Sequence, residues 1–266
     1  MMETLLVAGP TGEVVTLAEA KAHLVVEHTS DDSLIRAFID MAGAQVENVT
    51  NRRLLSQTWQ AYLEEFPSGE EIILPYGQLQ SVTSIKYRDK DGTWQTMDTD
   101  DYVVDTVREP GRVVLADSAS WPTDTLYPGM SVQIEFVCGY GAQVRTSITA
   151  ATNASPIVLT SAGHALVTGD RVRVENVGGT TAANGTWTVT RVNADTFSLQ
   201  GSAGNAAYTT ATGAFIKLEV PEPIRAAMLL MVGNAYAHRE SLTIGQPWQE
   251  MPIVDNLLAN YRIWRV

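Results

Sequence analysis

The strongest constraint on this fold is a change of composition within the chain that later reverses. Val137-Cys138-Gly139-Tyr140-Gly141 closes a charged segment of mixed helix and strand character, and Val220-Pro221-Glu222-Pro223-Ile224-Arg225 resumes that character with a helix start. Residues 143–217 between them are rich in Thr, Ala, Asn, Gly and Val, carry few charges and show no Leu-rich helical period. A single domain does not switch vocabulary and switch back. The expected organisation is a host domain built from residues 1–142 and 218–266, with residues 143–217 inserted as a self-contained β module. A host that accepts a module at this point exposes the loop that carries it.

Charge follows the same division. The chain has a formal net charge of −12. Residues 143–217 hold five basic residues (Arg145, Arg171, Arg173, Arg191, Lys217) against three acidic ones (Asp170, Glu175, Asp195), a net +2, which leaves −14 for the rest. An acidic surface opposes general nucleic-acid binding, which needs cations to displace the counterions of phosphate. An acidic host could simply keep the protein soluble, the more ordinary role of such charge, or line a passage that DNA crosses without being gripped. No apolar run reaches the roughly 20 residues of a membrane span. The start, Met1 to Pro10, lacks the basic flank and apolar length of a signal peptide. The one cysteine, Cys138, allows no intrachain disulfide and fits synthesis in a reducing cytoplasm.

Periodicity predicts an α+β host with an N-terminal helix pair, an antiparallel sheet region and C-terminal helices. Thr16-Leu17-Ala18-Glu19 is a capping box opening a helix to Leu24. Asp31 or Ser30 opens a longer helix to about Thr50, whose apolar stripe is Leu34, Ile35, Phe38, Ile39, Ala42 and Val46. Arg52 and Arg53 follow as its polar, exposed exit. From Gln57 the period becomes two. Strands are expected at 58–63, 71–74, 84–88, 93–97, 102–104, 112–115 and 132–136, with Asp91-Gly92 turning a hairpin. The insert should hold short strands at 157–159, 171–174, 186–192, 196–199 and 214–216, spaced like a small barrel or sandwich. Pro221 and Pro223 mark a helix start, with a buried stripe from Ile224 to Ala235. A last helix is expected from Ile253 to Trp264.

No residue set demands catalysis. His23, His28, His164 and His238 are scattered, without metal-ligand spacing. Ser161 precedes His164 closely, but in a hairpin region rather than on the sharp strand–helix turn a nucleophile needs. Asp98, Asp100 and Asp101 lack the closing Glu of a calcium loop. Gly178-Gly179 and the Gly201–Gly204 stretch do not lie between strand and helix, so neither cradles a phosphate. Neither enzyme activity nor a cofactor is expected. Trp187, Phe197 and Tyr208 leave open a different role for the insert, stacking on a carbohydrate or a host surface.

The ordered series Thr16–Leu24, Asp31-Asp32 with Leu34-Ile35, Val46-Glu47, Gln57-Thr58-Trp59, Ile72–Pro75, Ser81–Ile85, Asp91-Gly92, Gly139–Gly141, Pro221–Ala227 and Arg239-Glu240 resembles the head–tail connector family of tailed phages, the adaptor or head-completion proteins beneath the portal. The insert, through Thr152–Pro156, Gly163–Leu166, Gly169–Val172 and Asn184–Val189, is similar to a small β-barrel module like the first catalytic-cysteine half-domain of ubiquitin-activating enzymes, yet it contains no cysteine. The resemblance implies a structural virion protein at the head–tail junction. It would form a homo-oligomeric ring, commonly a dodecamer, between the portal protein and a tail or stopper protein. DNA would pass its lumen without sequence-specific contact. Within that reading Arg52 and Arg53 are candidate subunit-interface residues. Arg262, Trp264 and Arg265 are candidate portal-docking residues, Trp and Arg being enriched where interfaces concentrate their energy.

Overall fold

Thr16 and Glu19 close the expected capping box: the Glu19 N–H donates to Thr16 Oγ1 (3.2 Å) and the Thr16 N–H to Glu19 Oε2 (2.9 Å). This fixes the start of α1 (Leu17–Leu24), the first helix in a computed structural model that describes residues 2–123, 125–141, 143–209, 212–238 and 252–264. The chain divides into two compact units, Met1–Gly141 with Val220–Val266, and Ala142–Glu219.

In the first unit α2 (Asp32–Thr50) buries Ile35, Ile39, Ala42, Val46 and Thr50, most of the stripe its sequence announces. It ends at Asn51, whose left-handed φ of 54° suits an Asn better than most residues. Helix α3 (Glu222–Ala237) starts with Pro223 in its first turn and buries Ile224, Ala227, Met228, Met231 and Val232. Helix α4 (Pro252–Leu258) adds Val254 and Leu258. These four helices enclose one apolar core with Val14, Val15, Leu54 and Leu55. The last helix is shorter than expected, because the chain tightens into a 3-10 turn at Ala259–Tyr261 and leaves helical geometry at Arg262. Arg239-Glu240, expected in the same helix as Pro221–Ala227, lie outside the described residues.

The strands of this unit form two antiparallel sheets rather than a single set. Five strands, β1 (Glu3–Ala8), β2 (Gln57–Leu63), β4 (Leu79–Arg88), β5 (Trp94–Thr96) and β8 (Val132–Cys138), pair in the order β1-β2-β8-β4-β5. Three more, β3 (Glu71–Ile73), β6 (Tyr102–Asp105) and β7 (Arg112–Leu115), pair as β3-β7-β6. Alternation explains the packing. Val132, Ile134, Phe136 and Cys138 of β8 point inward at every second position and share a core with Ile72, Leu74, Val113 and Trp121. Strand β1 was not anticipated from sequence, and β4 begins five residues earlier than expected.

The second unit is all β apart from a 3-10 turn at Thr181–Ala183. Its strands are β9 (Arg145–Ser147), β10 (Ala150–Ala151), β11 (Val158–Thr160), β12 (Arg171–Glu175), β13 (Gly185–Arg191), β14 (Thr196–Leu199) and β15 (Ala214–Lys217). Their order is β10-β11-β14-β13-β12-β15-β9. Strand β13 turns a corner, pairing with β12 through Gly185–Thr188 and with β14 through Val189–Arg191. The two edge strands, β9 and β10, are consecutive in the chain with only Ile148-Thr149 between them, so the sheet curls back toward its own start. The barrel expected from sequence is corrected to an open sheet: no described pairing joins β9 to β10, so the hydrogen-bond ladder does not close. Ile157, Leu159, Val172, Val189, Phe197, Leu199 and Phe215 belong to its buried apolar core. Gly179 shows why the turn needs glycine. Its φ is +75°, and a Cβ there would lie 1.8 Å from the Ala207 carbonyl oxygen.

Candidate assembly surfaces

Arg52 and Arg53 are not an exposed exit, and that premise is corrected. Arg52 is buried, its side chain only 7% exposed. Its Nη1 and Nη2 grip the two carboxylate oxygens of Glu109, and its Nε donates to the Tyr261 carbonyl (2.6 Å). Burial is the largest influence and works against its charge, but the hydrogen bonds and charge of Glu109 together with Tyr140 more than offset it and hold its pKa above the ordinary arginine value. Arg53 donates to Glu47 Oε2 (3.0 Å) and lies over the rings of Tyr76 and Trp59, 3.8 and 4.7 Å from their centroids. Glu47 also accepts from the Leu54 N–H and from Gln57 Nε2. The pair therefore fastens the end of α2 to the sheets and to the chain after α4. Sequence missed this because Glu109 is remote in the chain and nothing local announces it.

The three C-terminal candidates separate. Arg262 donates to Asp255 (2.6 Å) and is partly covered. Trp264 is 78% exposed, a large apolar ring in solvent. Arg265 lies outside the described residues. Ile263 between them is an anchor, its N–H donating to the Thr50 carbonyl (2.9 Å).

The aromatics that suggested a stacking face in the insert do not form one. Phe197 is fully buried, edge-on to Phe215. Trp187 and Tyr208 pack on the same core, with Trp187 Nε1 donating to the Ala183 carbonyl and the Tyr208 hydroxyl to that of Ile148. Ser161 and His164 are both buried, and the ring of His164 stands edge-on to Phe197. His164 Nδ1 accepts from the Leu166 N–H, so this nitrogen serves a loop. Asp98 caps the 3-10 turn Thr99–Asp101 by accepting the Asp100 N–H. Among the described residues no group of three His, Cys, Asp or Glu side chains is placed to hold a metal ion. No described helix is long and apolar enough to cross a membrane. Cys138 is fully buried on β8, and burial pushes its thiol pKa up to about 12.

The first unit does present unusual surface. Leu5, Leu6 and Val7 of β1 are 56%, 45% and 49% exposed, on the outer edge of the five-stranded sheet. The opposite edge, β5, is exposed along its length and carries Trp94. An open groove of about 610 Å³ is lined by Glu64, Glu65, Phe66, Leu126, Tyr127 and flanking Pro and Gly residues. Phe66, one of its lining residues, stacks on Trp121 with ring centroids 5.3 Å apart.

Comparison with known proteins adds to this geometry. Residues 14–105 match the model of the family described as Phage gp6-like head-tail connector protein. Among solved structures, a chain of the neck of an empty gene transfer agent particle, computed with C6 symmetry, aligns at 16% identity and a TM-score of 0.58, covering 99% of this chain and 97% of that one. A chain of the native particle's neck, computed with C12 symmetry, aligns with the same values. A chain from the virion of the native particle aligns at the same identity and TM-score, over 99% of this chain and 96% of its own. These likenesses establish a shared fold. No curated protein matches the chain.

Proposed function

We propose that this chain is a structural component of the neck of a phage-like particle, a head–tail connector. Identical copies would form a ring that joins the portal to the tail or a stopper and lets DNA pass. The observation that carries the reading is a coincidence of two likenesses: a connector-family match over residues 14–105 and a fold likeness, over nearly the whole of both chains, to neck components. The second likeness covers 99% of this chain, so it is not confined to the region of the family match. A net charge of −12 suits a lumen that repels phosphate and lets DNA slide. On this reading the ring is a dodecamer and the virion neck is its location. No catalytic role is proposed.

The portal-facing element in this proposal is the chain end, with Trp264 as its anchor and Arg262 and Arg265 beside it. Truncation after Ile263 keeps the bond to Thr50 while removing Trp264 and Arg265. The test is native mass spectrometry and negative-stain microscopy of the full chain, alone and with the portal protein of its own particle. Rings are expected for the full chain in at least the portal-bound state. The truncated chain should keep its thermal midpoint and lose portal binding. A chain that stays monomeric with portal present overturns the connector reading; portal binding that survives truncation moves the docking surface elsewhere.

A further inference from the structure

We infer that the two open edges of the five-stranded sheet, β1 and β5, are the two halves of the contact between neighbouring copies of this chain. The inference rests on the ring reading above and deepens it by naming the surface and its occupant, a second copy.

Strand β1 breaks the rules by which a solitary protein protects a sheet edge. Such edges normally carry lysine, proline or a short strand, because unpaired N–H and C=O groups recruit other strands. Here the edge is six residues long and contains Leu5, Leu6 and Val7 in succession. Neighbouring residues on a strand face opposite ways. All three being exposed means that both faces of β1 as well as its outer rim are uncovered. Apolar surface around a free backbone edge fits another strand better than a helix or a small ligand, since only a strand satisfies both backbone and side chains.

The register says which strand. Each successive pair in β1-β2-β8-β4-β5 is antiparallel, so four reversals leave β1 and β5 running in the same direction. The edges are unlike one another, and a contact between unlike patches is the heterologous kind that closes into a cyclic ring. Rotation by the small step of a many-membered ring hardly changes strand direction, so β5 of one copy would meet β1 of the next in parallel.

Charge at the sheet end agrees with that alignment. The pairs Glu3↔Tyr62, Leu63↔Val132, Tyr87↔Val132 and Arg88↔Trp94 place the starts of β1 and β5 at one end of the sheet. On the β1 side this end carries Glu3 and the exposed Glu64 and Glu65. On the β5 side it carries Lys86, Arg88 and Lys90, with Arg88 held over the ring of Trp94 at 4.9 Å. Asp89 and Asp91 share that hairpin, but Asp89 is occupied within the turn by the Asp91 and Thr93 N–H groups and by Gln95. Parallel abutment thus brings an acidic corner against a basic one.

The test is cross-linking of the full chain, in which the native Cys138 is buried and does not compete. Two register pairs, L5C with Q95C and L6C with T96C, are each treated with a short bismaleimide in the purified assembly. A ladder extending past the dimer on a denaturing gel is expected only when both cysteines of a pair are present. Leu5→Glu with Val7→Glu should prevent assembly at an unchanged thermal midpoint. Glu64→Lys with Glu65→Lys should weaken assembly about tenfold or more, and Lys86→Glu with Lys90→Glu in the same chain should restore it. Dimers from a single L5C chain would overturn the inference in favour of a like-edge contact. Rings that form normally without a ladder and tolerate the glutamates would overturn it while leaving the connector reading intact. A ladder from a species that is not a closed ring would sustain the edge contact and overturn the ring. Neither ladder nor ring would overturn both.

Discussion

Replacing Arg225 should loosen the helical half of the first unit more than any surface charge can. Its guanidinium is 6% exposed; it donates to the Val14 carbonyl and to Glu19 Oε1 (2.6 Å), with Glu222 at 3.4 Å. Glu19 divides its oxygens, giving Oε1 to Arg225 and Oε2 to the N-terminal cap of α1. Arg225→Leu leaves that carboxylate without its cation. Breaking a buried pair costs about 3–5 kcal/mol. Glu19 is 21% exposed and keeps its cap bonds, so about 2–3 kcal/mol is expected here, against a few tenths for an exposed ion pair. For a unit of this size that is roughly 5–10 °C in thermal midpoint. Glu19→Gln retains a capping side chain but takes the carboxylate from the buried Arg225 guanidinium, which keeps Glu222 at 3.4 Å, and should also cost about 2–3 kcal/mol. The double variant should cost less than the sum, by about 1–2 kcal/mol of coupling. Acidity offers an independent check. Burial on its own would raise the Glu19 pKa, but the Thr16 N–H and Arg225 together bring it below the ordinary 4.5. A depressed carboxylate stabilises the fold above the unfolded value and loses that contribution as pH falls through the folded one. Wild type should therefore lose more stability than Glu19→Gln below about pH 4.5. Urea unfolding followed by far-ultraviolet circular dichroism reads all of this. Strict additivity, or an Arg225→Leu variant within about 0.5 kcal/mol of wild type, would refute the clasp.

Two further outcomes concern the inserted unit. Gly179→Ala combines a φ of +75° with a Cβ driven to 1.8 Å from a backbone oxygen. It should cost about 2–4 kcal/mol and make residues 142–219 protease-sensitive while the first unit stays resistant; equal sensitivity of both would contradict independent cores. Excising residues 142–219 in favour of a short Gly-Ser linker should leave the first unit unfolding in one cooperative transition, since loop length enters closure entropy only logarithmically. A broad transition in that variant would argue against insertion into a self-sufficient host.

Local rules were legible and distant partnerships were not. Thr16 with Glu19, the Asp91-Gly92 turn and the α2 stripe depend on residues a few positions apart, and each forms as its spacing predicts. Arg225 was visible only as a member of a helix-start motif; that it reaches Val14 and Glu19 depends on how α1 and α3 pack. Strands β9 and β10, three and two residues long, offer too little alternation to register as a pattern. Strand β1 was overlooked for a different reason: it has no alternation to find, because neither face is buried.

Two departures from the ordinary link between polarity and burial remain, and they lead in opposite directions. Arg52 and Arg225 are charges taken out of water, which ordinarily demands a partner. Both find one within the chain, in Glu109 and Glu19, so these residues are explained by folding alone and need no binding role. Leu5, Leu6 and Val7 are apolar side chains left in water on an unprotected edge, and the described fold supplies nothing to cover them. Folding accounts for the buried charges; the described fold leaves the strand edge uncovered. That asymmetry is why the subunit contact is sought at β1 and β5 rather than at the arginines after α2, whose charges the fold has already used.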